Sequence, residues 1–547
     1  MNIVGKLKEQ SLPEIISEWY KGLDKSVKIA AVVTFFVTVI CNMYVFTNRW
    51  INHDDLMGDF KTTTMANYLR GGKWMQYYFK IIGTEFGAPV IHGILSAIIL
   101  ALTAVCLIGI FKIKSSVWVV LLSCILGTFP LNACYFGYMS SADIYYFALV
   151  TAVLSVWFVE RNTIWGYIIG GISLMISLAT YQSYLSIAVG LIVIFYYVGL
   201  MKEDVNLKEW FLKGLRDTSM VFYAFFLYQI VTKLLLKKYG VELQAYANED
   251  QLFVFTPSAV VDSIILGIRN FGSWMYTTNK VNYQGWANAN IVLTAVIAVL
   301  AIYRFFTCLK KKKVLQAILI AVISAILPIM LNNIYIIMNG RGWIHALTHY
   351  CLILIYILVV VMLEHTTTFY EKMKPLLKNC IMTAGALGLV VIVYFGFIIT
   401  NQLYTRMNSN MNAVNSELTM VMARVSAIEG YTADTPVYFA NCNSLFADTI
   451  KPLDIYDEKI YSGTWTGTDI YPWCDASHIC KYLREYLYIT VANTSIDKAV
   501  EIEESEEFAE MGVFPAENSV KMIDGVVVVK MGYDAEDIQT EDTIVNE

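Results

Sequence analysis

Long uncharged apolar stretches alternate with short polar segments along the first 400 residues of the chain. Because the apolar core of a bilayer is about 30 Å thick, a helix needs roughly 20 such residues to cross it. The pattern therefore predicts eleven membrane-spanning helices. Their predicted ranges are 28–47, 89–111, 116–134, 142–159, 163–180, 182–200, 218–236, 289–308, 314–333, 346–363 and 380–400.

The pattern changes after residue 400, where apolar and polar positions mix over shorter distances. Residues 411–430 and 478–489 have helical periodicity, and PVYFAN at 436–441 predicts a short strand. In SVKMIDGVVVVKM, Asp524 and Gly525 separate two apolar-rich runs, which predicts a β-hairpin. We expect an α-helical polytopic membrane protein that carries a small α/β domain at its carboxyl end.

Residues 257–276 are apolar on one side only and are too polar to span a bilayer. We expect an interfacial helix on the outer leaflet, in a position to contact a polyprenyl tail. A re-entrant segment and a helix packed on the bundle are the alternative interpretations.

Composition and charge agree with a membrane protein, and the distribution of basic residues predicts its orientation in the membrane. With 57% hydrophobic residues, 16% charged residues and a mean hydropathy of +0.53, the chain is too apolar for a soluble globular protein. Basic loops are held on the cytoplasmic side, which predicts a cytoplasmic amino terminus. The predicted inner segments contain Lys21, Lys25, Lys28, Lys112, Lys114, Arg161, Lys202, Lys208, Lys213, Arg216, Lys310–Lys313, Lys372, Lys374 and Lys378.

An odd number of spans places the carboxyl domain outside. Residues 401–547 contain 25 acidic and nine basic residues, a net charge of −16 in a chain whose total is −5. The predicted organisation is a cytoplasmic amphipathic amino terminus (1–27), a transmembrane domain (28–400) whose first outer loop is 48–88, and an extracytoplasmic acidic domain (401–547).

The first outer loop contains an adjacent acid pair, Asp54 and Asp55, in NRWINHDDLMGDF. Two neighbouring carboxylates resist losing both protons, which would raise the apparent pKa of one and suit it to act as a general base. We expect one aspartate to do this chemistry and the other to orient it. The alternative is a solvated loop, or a cap on the helix beginning near Leu56. His53 would add a polar contact, or would only be solvated.

The same loop is rich in bases, which the orientation rule does not favour on an outer face. Arg70 and Lys73 in YLRGGKW are candidates for binding a phosphate, because glycine lets a backbone approach a ligand closely and arginine grips phosphate with two hydrogen bonds. Snorkelling toward lipid headgroups is the alternative.

Arg341, in IIMNGRGWIHAL, is a further phosphate candidate in a short outer loop. Its alternative partners are a carboxylate of the first loop and a lipid headgroup. His345 and His349 follow with a spacing of four residues, but no neighbouring acid completes a metal motif, so we expect packing or hydrogen bonding from them.

Three other polar positions face the same predicted compartment. Asp143 begins the fourth span, where it would bind sugar hydroxyls or a cation, or would only complement the helix dipole. Tyr181 and Gln182 connect the fifth and sixth spans, where aromatic and amide groups suit sugar recognition. An interfacial aromatic belt is the alternative for that tyrosine.

Taken together, these features resemble the GT-C class of integral-membrane glycosyltransferases. The strings NHDDLMGDF, LRGGKW, SSADIYYFAL, ATYQSYLSIAVG and NGRGWIHAL are similar to the bacterial glucosyltransferase family that modifies O-antigen. The resemblance covers most of the membrane part, no single string is specific alone, and the acidic outer domain matches no motif.

The resemblance implies transfer of a hexose, expected to be glucose, from a polyprenyl-phosphate donor to a cell-surface glycan with inversion. It implies Asp54 or Asp55 as the base and Arg70, Lys73 and Arg341 as phosphate ligands. It further implies a multi-pass protein of the bacterial cytoplasmic membrane with an outward-facing site, served by flippase and donor-synthesising proteins. We expect no cofactor and no metal site, although some GT-C enzymes use a divalent cation.

Two other functions fit parts of the chain. A transporter or flippase for lipid-linked glycans would be polytopic too, but such proteins keep ionisable residues at mid-membrane depth, and the spans here contain almost none. A sensor or scaffold would explain the acidic outer domain but not the acids and bases of the first loop.

Overall fold

The computed structural model describes residues 11–49, 64–82, 88–243, 256–278, 283–337, 346–442 and 476–532. Within these ranges, ten helices are long and apolar enough to cross a membrane, and the apolar helix Ile164–Thr180 has 17 residues. These eleven helices coincide with the eleven predicted spans, so the chain is a multi-pass membrane protein.

The membrane helices are labelled in chain order together with the short helices between them. They are α1 Leu12–Gly22, α2 Lys25–Thr47, α3 Met65–Arg70, α4 Met75–Ile82, α5 Pro89–Phe111, α6 Ser116–Thr128, α7 Asn132–Gly137, α8 Ala142–Val159, α9 Ile164–Thr180, α10 Leu185–Leu200, α11 Leu207–Tyr239, α12 Pro257–Tyr276, α13 Gln284–Lys310, α14 Val314–Leu331, α15 Ile334–Ile337, α16 Leu354–Phe369 and α17 Pro375–Ser426. Short 3₁₀ segments occur at Met139–Ser141, Gln182–Tyr184 and Ala346–Ile353.

A break in the third predicted span puts a polar side chain in the core. Phe129 precedes Pro130 and adopts an extended conformation, since a residue before proline is disfavoured in the helical region. Asn132, directly after the break, donates a hydrogen bond to the carbonyl of Leu126 at 2.8 Å. Its Oδ1 accepts hydrogen bonds from the hydroxyls of Tyr146 and Tyr350, so the buried amide is well satisfied.

The interfacial segment forms the helix α12, as its pattern predicts. Ala259, Ser263, Gly267 and Phe271 are buried at helical spacing, and Ile265 on another face is exposed. The helix is not among those that could span a membrane by length and composition. Its placement on the outer leaflet stays a prediction.

The carboxyl domain contains a four-stranded sheet, within the part of the domain that the structure describes. Its strands are β1 Pro436–Ala440, β2 Ala492–Asn493, β3 Val520–Ile523 and β4 Val526–Lys530, in the order β2-β1-β4-β3. The helices of the domain after α17 are α18 Ala476–Tyr486, α19 Ile496–Glu503 and α20 Glu506–Ala509.

The predicted hairpin is confirmed. Ile523 pairs with Val526 in the antiparallel β3–β4 ladder. Asp524 and Gly525 between them both have positive φ, 47° and 78°, as a two-residue hairpin turn requires. Strand β4 is apolar on both faces because helices cover both: Val527 and Val529 pack toward α17 and α18, and Val528 packs toward α19 and α20.

The last membrane helix does not stop at the membrane boundary. It continues as one helix from Pro375 to Ser426, so the predicted amphipathic helix at 411–430 is the outer part of α17. The intervening residues contain no glycine or proline to end a helix. Leu418 and Val425 of this outer part are fully buried against the sheet, which ties the carboxyl domain to the membrane bundle.

An acidic side chain is buried beside a lysine at the end of the bundle that carries the basic loops. Glu160, directly after α8, accepts a hydrogen bond from Lys213 Nζ at 2.8 Å. Burial raises the pKa of Glu160 to about 7, against the opposing effect of Lys213.

A raised pKa in the folded protein means that the folded state binds a proton more tightly than the unfolded state. Stability should therefore fall as the pH rises from about 4.5 to about 7. The variant Glu160→Gln should show a smaller change in melting temperature over this range than the unmodified protein. Thermal unfolding at pH 5 and pH 7.5 measures this. An equally large pH dependence in Glu160→Gln, or the same flattening in the exposed-acid control Glu371→Gln, would contradict the expectation.

Candidate active site around residues 70–73

The predicted site residues fall into two groups. His53, Asp54, Asp55 and Arg341 lie outside the described residues. Their roles stay predictions. Arg70, Lys73, Asp143, Tyr181 and Gln182 are described, and the structure brings four of these together around one turn.

That turn, here called the diglycine turn, comprises residues 70–73. It ends the helix α3 in a Schellman arrangement, in which the amide of Lys73 donates to the carbonyl of Tyr68 and that of Gly72 to the carbonyl of Leu69, both at 2.9 Å. Gly72 has a φ of 68°, a left-handed conformation that glycine adopts without steric cost. In the sequence, the pair of glycines was the signal for this turn. The second glycine, Gly72, is needed because the helix cap requires a left-handed backbone at that position.

Two side chains from distant helices hold the diglycine turn. The Nε2 atom of Gln182 donates to the carbonyl of Gly71 at 2.9 Å and to the hydroxyl of Tyr228 at 3.2 Å. The Tyr228 hydroxyl in turn donates to the carbonyl of Gly72 at 3.1 Å. Both hydrogens of the Gln182 amide nitrogen are thus used within the protein, and its carbonyl oxygen is the remaining hydrogen-bonding group of that side chain.

The space beside Gly72 is fully occupied. A Cβ atom built on Gly72 would overlap the Tyr228 hydroxyl and would lie 3.0 Å from Gln182 Nε2. Gln182 and Tyr228 are both buried. Glycine is therefore required here by its positive φ and by the close approach of two side chains.

The two bases of the turn differ in exposure. Arg70 is exposed, whereas Lys73 is half-buried with its Nζ atom 5.6 Å from the centre of the Tyr181 ring. A lysine at this distance from a tyrosine ring is attracted by its negative face. Arg70, Lys73, Tyr181 and the buried Gln182 are therefore grouped around the diglycine turn, as a shared site requires.

The segment after the turn is anchored to the bundle. Trp74 Nε1 donates to the hydroxyl of Thr232 at 3.1 Å, and Gln76 Nε2 donates to the carbonyl of Thr180 at 2.7 Å. The described part of the predicted first outer loop is thus held by α9 and α11. Its cations are positioned by packed helices.

Asp143 has a partner that the sequence pattern did not reveal. Its Oδ1 atom lies 3.0 Å from Nδ1 of His92, and the side chains are only 14% and 6% exposed. Two residues further along α8, the ring of Tyr145 packs edge-on against Tyr181 at 5.0 Å. Both His92 and Asp143 stand in the first turn of an apolar helix at the same predicted membrane face, which was the available signal.

Behind these residues lies a cluster of buried tyrosines. Tyr184 lies between Tyr181 and Tyr135, at ring distances of 5.8 and 6.2 Å, and Tyr135 packs against Tyr350 at 5.1 Å. The cluster forms a rigid floor of large rings beneath Tyr181.

His349 precedes Tyr350 of this cluster in the chain. Its Nε2 atom lies 3.0 Å from the Tyr335 hydroxyl, and its ring stacks on Trp274. This confirms the predicted packing and hydrogen-bonding role of His349. His345 lies outside the described residues.

The carboxyl domain contacts the membrane bundle at the end of α2. Arg49, at the end of α2, donates to the backbone carbonyl of Glu485 at 3.2 Å and to its carboxylate at 3.3 Å. The same guanidinium lies 4.6 Å from the centre of the Tyr486 ring. Helix α18 therefore lies beside the point where the first outer loop begins.

Comparison with known proteins identifies the family. The model of the family described as glucosyl transferase GtrII matches residues 43–356, which is more than half of the chain. The chain belongs to the GtrII glucosyl transferase family. No curated protein and no solved structure match the chain.

Family membership supports a glycosyltransferase enzyme and agrees with the resemblance stated from the sequence. The matched range of the GtrII family begins within α2 and includes every predicted site residue. The carboxyl domain lies outside that range. The family match therefore covers most of the membrane part of the chain.

Proposed function

We propose that this protein is a GT-C glucosyltransferase that moves glucose from a polyprenyl-phosphate donor to a cell-surface glycan. In this proposal it resides in the bacterial cytoplasmic membrane with its site open to the outside. The observation that carries the proposal is the family match over residues 43–356, which contain the diglycine turn and the acid pair.

The diglycine turn supplies the phosphate site of the proposal. The backbone between Arg70 and Lys73 is held by the helix cap and by Gln182, so the turn itself need not be ordered when the donor phosphate binds. Arg341 joins them as a third phosphate ligand. The exposed guanidinium of Arg70 can offer two parallel N–H donors to phosphate oxygens.

The sugar would rest near Tyr181. The ring of Tyr181 is supported from below by Tyr184 and from the side by Tyr145, so it is a firm surface for a sugar ring. Gln182 contributes its carbonyl oxygen to the sugar hydroxyls, while its amide nitrogen holds the turn. Asp143, held by His92, and His53 complete the proposed polar contacts.

The proposed reaction is a single displacement. Asp54 or Asp55 accepts the proton of an acceptor hydroxyl, whose oxygen attacks the anomeric carbon of the donor. The bond from that carbon to the phosphate oxygen breaks, and its electron pair leaves with the polyprenyl phosphate. Attack opposite the leaving phosphate inverts the anomeric centre.

The acceptor glycan would be bound by the carboxyl domain. The contact of Arg49 with Glu485 and Tyr486 supports this assignment, since it brings α18 to the start of the loop that contains Asp54 and Asp55. A glycan held there would be near the proposed base. Flippase and donor-synthesising proteins would deliver the donor.

The test uses the full-length protein in lipid nanodiscs with radiolabelled glucose donors and surface polysaccharide from the source cells. We expect label to pass to the polysaccharide from polyprenyl-phosphate glucose and not from a nucleotide-linked glucose. The expected transfer needs no divalent cation, so it should persist in EDTA. Transfer from the nucleotide donor alone, or movement of a lipid-linked glycan across proteoliposomes without transfer, would overturn the proposal.

A further inference from the structure

A concave region lies at the opposite end of the bundle, where the predicted cytoplasmic loops meet. Its cavity has a volume of about 490 Å³ and is lined by the ends of α5, α8, α10 and α16 and by the loops beside them. This is the size of a small-molecule site. We call it the basic pocket, after the four bases Lys112, Arg161, Lys202 and Lys213 that line it.

The bases come from four separate segments of the chain. Lys112 follows α5 in a left-handed conformation, Arg161 follows α8, Lys202 follows α10, and Lys213 belongs to α11. Four cations that converge on one cavity repel each other unless an anion is bound. The arrangement is thus different from bases scattered along a solvated helix face.

Acidic side chains compensate this charge only in part. Glu160 is the one acid among the residues that line the pocket, and it is paired with Lys213 at 2.8 Å. Lys112, Arg161 and Lys202 make no salt bridge within the described ranges. The pocket lining therefore has three cations that form no salt bridge among the described residues.

Aromatic rings contact two of the cations and make the pocket partly apolar. The guanidinium of Arg161 lies 3.9 Å from the centre of the Trp157 ring, and Lys213 Nζ lies 4.8 Å from the centre of the Phe195 ring. The Trp157 ring reaches this position because α5 has Gly109 opposite it, where a Cβ would lie 3.0 Å from Trp157 Nε1. An anion with an apolar portion fits such a lining better than a simple hydrated ion.

Phosphate is the anion that this set of donors suits. Arginine can bind it with two hydrogen bonds, and lysines add point charges, as in other phosphate sites. Basic pockets between membrane helices on the cytoplasmic side bind the head groups of anionic lipids. A lipid phosphate and a soluble phosphate ester share this chemistry.

We propose that the basic pocket is a regulatory or structural binding site for a phosphate ester at the inner membrane surface, separate from the glucose-transfer site. The apolar rings around the cations match a phosphate carried by a phospholipid such as phosphatidylglycerol. A soluble phosphate is the other source of the same chemistry.

The experiment compares two triple variants of the full-length protein. Lys112→Gln, Arg161→Gln and Lys202→Gln together remove the three cations that form no salt bridge. The control combines Lys208→Gln, Lys310→Gln and Lys374→Gln, which alter three exposed bases at the same end of the bundle that do not line the pocket. Both variants keep the Glu160–Lys213 pair intact, and circular dichroism checks their folding.

Binding is measured by native mass spectrometry of detergent-solubilised protein titrated with phosphatidylglycerol, with phosphatidylcholine as the neutral comparison. We expect the affinity for phosphatidylglycerol to fall about tenfold or more in the pocket variant and to change little in the control. In a second arm, inorganic phosphate is titrated and followed by phosphorus NMR.

The two arms distinguish the sources. Loss of phosphatidylglycerol binding in the pocket variant alone supports the proposal with a lipid phosphate as ligand. Binding of inorganic phosphate alone, lost in the same variant, supports it with a soluble ligand. Equal lipid binding by both variants together with no phosphate binding would overturn it. Because no readout is sugar transfer, either result is independent of the proposed enzyme activity.

Discussion

Replacing Asp54 and Asp55 together by asparagine is expected to lower glucose transfer by a factor of about 10² to 10⁴, the range that a positioned general base contributes. Asparagine keeps the size and much of the polarity of aspartate but cannot accept the proton of the acceptor hydroxyl. The measurement is the initial rate of label transfer from polyprenyl-phosphate glucose to polysaccharide by nanodisc-embedded protein.

The single variants separate the two roles. If one aspartate is the base and the other orients it, one of Asp54→Asn and Asp55→Asn should lose nearly as much rate as the double variant, and the other should lose less. Asp59→Asn is the matched control, since it makes the same chemical change four residues further along the same loop. Its rate should remain close to that of the unmodified protein.

The pH dependence gives an independent check. A neighbouring carboxylate should raise the apparent pKa of the base, so the rate should fall on acidification at a pH above the usual aspartate value of about 4. In the single variant that retains activity, this fall in rate should occur at a different pH. Full product formation by the double asparagine variant would exclude the pair from catalysis.

Replacing Gly72 by alanine is expected to destabilise the diglycine turn and to reduce transfer strongly. The left-handed backbone costs a non-glycine residue about 1–2 kcal/mol. The new Cβ would also displace the Tyr228 hydroxyl and Gln182 Nε2, and each hydrogen bond lost adds about 1 kcal/mol. Together these effects predict a loss of about 3 kcal/mol in the free energy of unfolding of this region.

Activity should respond because the turn carries the proposed phosphate ligands. A displacement of about 1 Å in such groups can lower a rate roughly 100-fold. We expect the transfer rate of Gly72→Ala to fall by about this factor, with a clear loss of thermal stability. Melting temperature and initial rate are measured on the same preparations.

The chain contains a matched control for the backbone effect. Gly240 has almost the same φ, 66°, and no atom lies within 4 Å of a Cβ built on it. Gly240→Ala should therefore show the cost of the left-handed backbone alone and keep its activity. Gly72→Ala combined with Tyr228→Phe should recover part of the lost stability, since the ring carbon that carried the hydroxyl lies 3.7 Å from the new Cβ. Equal effects at Gly72 and Gly240 would mean that the close approach is unimportant.

Much of the fold was predictable because it depends on local properties of the chain. Each membrane helix appears as a run of apolar residues, and bases between the runs mark one end of the bundle. The hairpin at Asp524 and Gly525 could be predicted for the same reason, since two residues with positive φ are a local requirement. The sequence did not predict that α17 is continuous. Its apolar pattern changes where the helix leaves the membrane bundle and begins to pack on the carboxyl domain, and this change resembles the end of a helix.

The candidate site was only partly predictable. Arg70, Lys73, Tyr181 and Gln182 stood out by residue type and predicted membrane face. The pattern assigned Gln182 to sugar recognition alone and did not reveal that its amide nitrogen holds the diglycine turn. It placed His92 and Asp143 at the same predicted membrane face but did not show that they pair.

The sequence by itself determined the membrane class, the number of spans, the hairpin and the residue types available for chemistry. Only the tertiary structure decided that Tyr228 reaches Gly72 across 156 positions and that four bases converge on the basic pocket. The physical reason is that hydrophobic length and turn preference are properties of neighbouring residues. Contacts between distant side chains depend on which helices pack together and on the rotation of each helix about its axis.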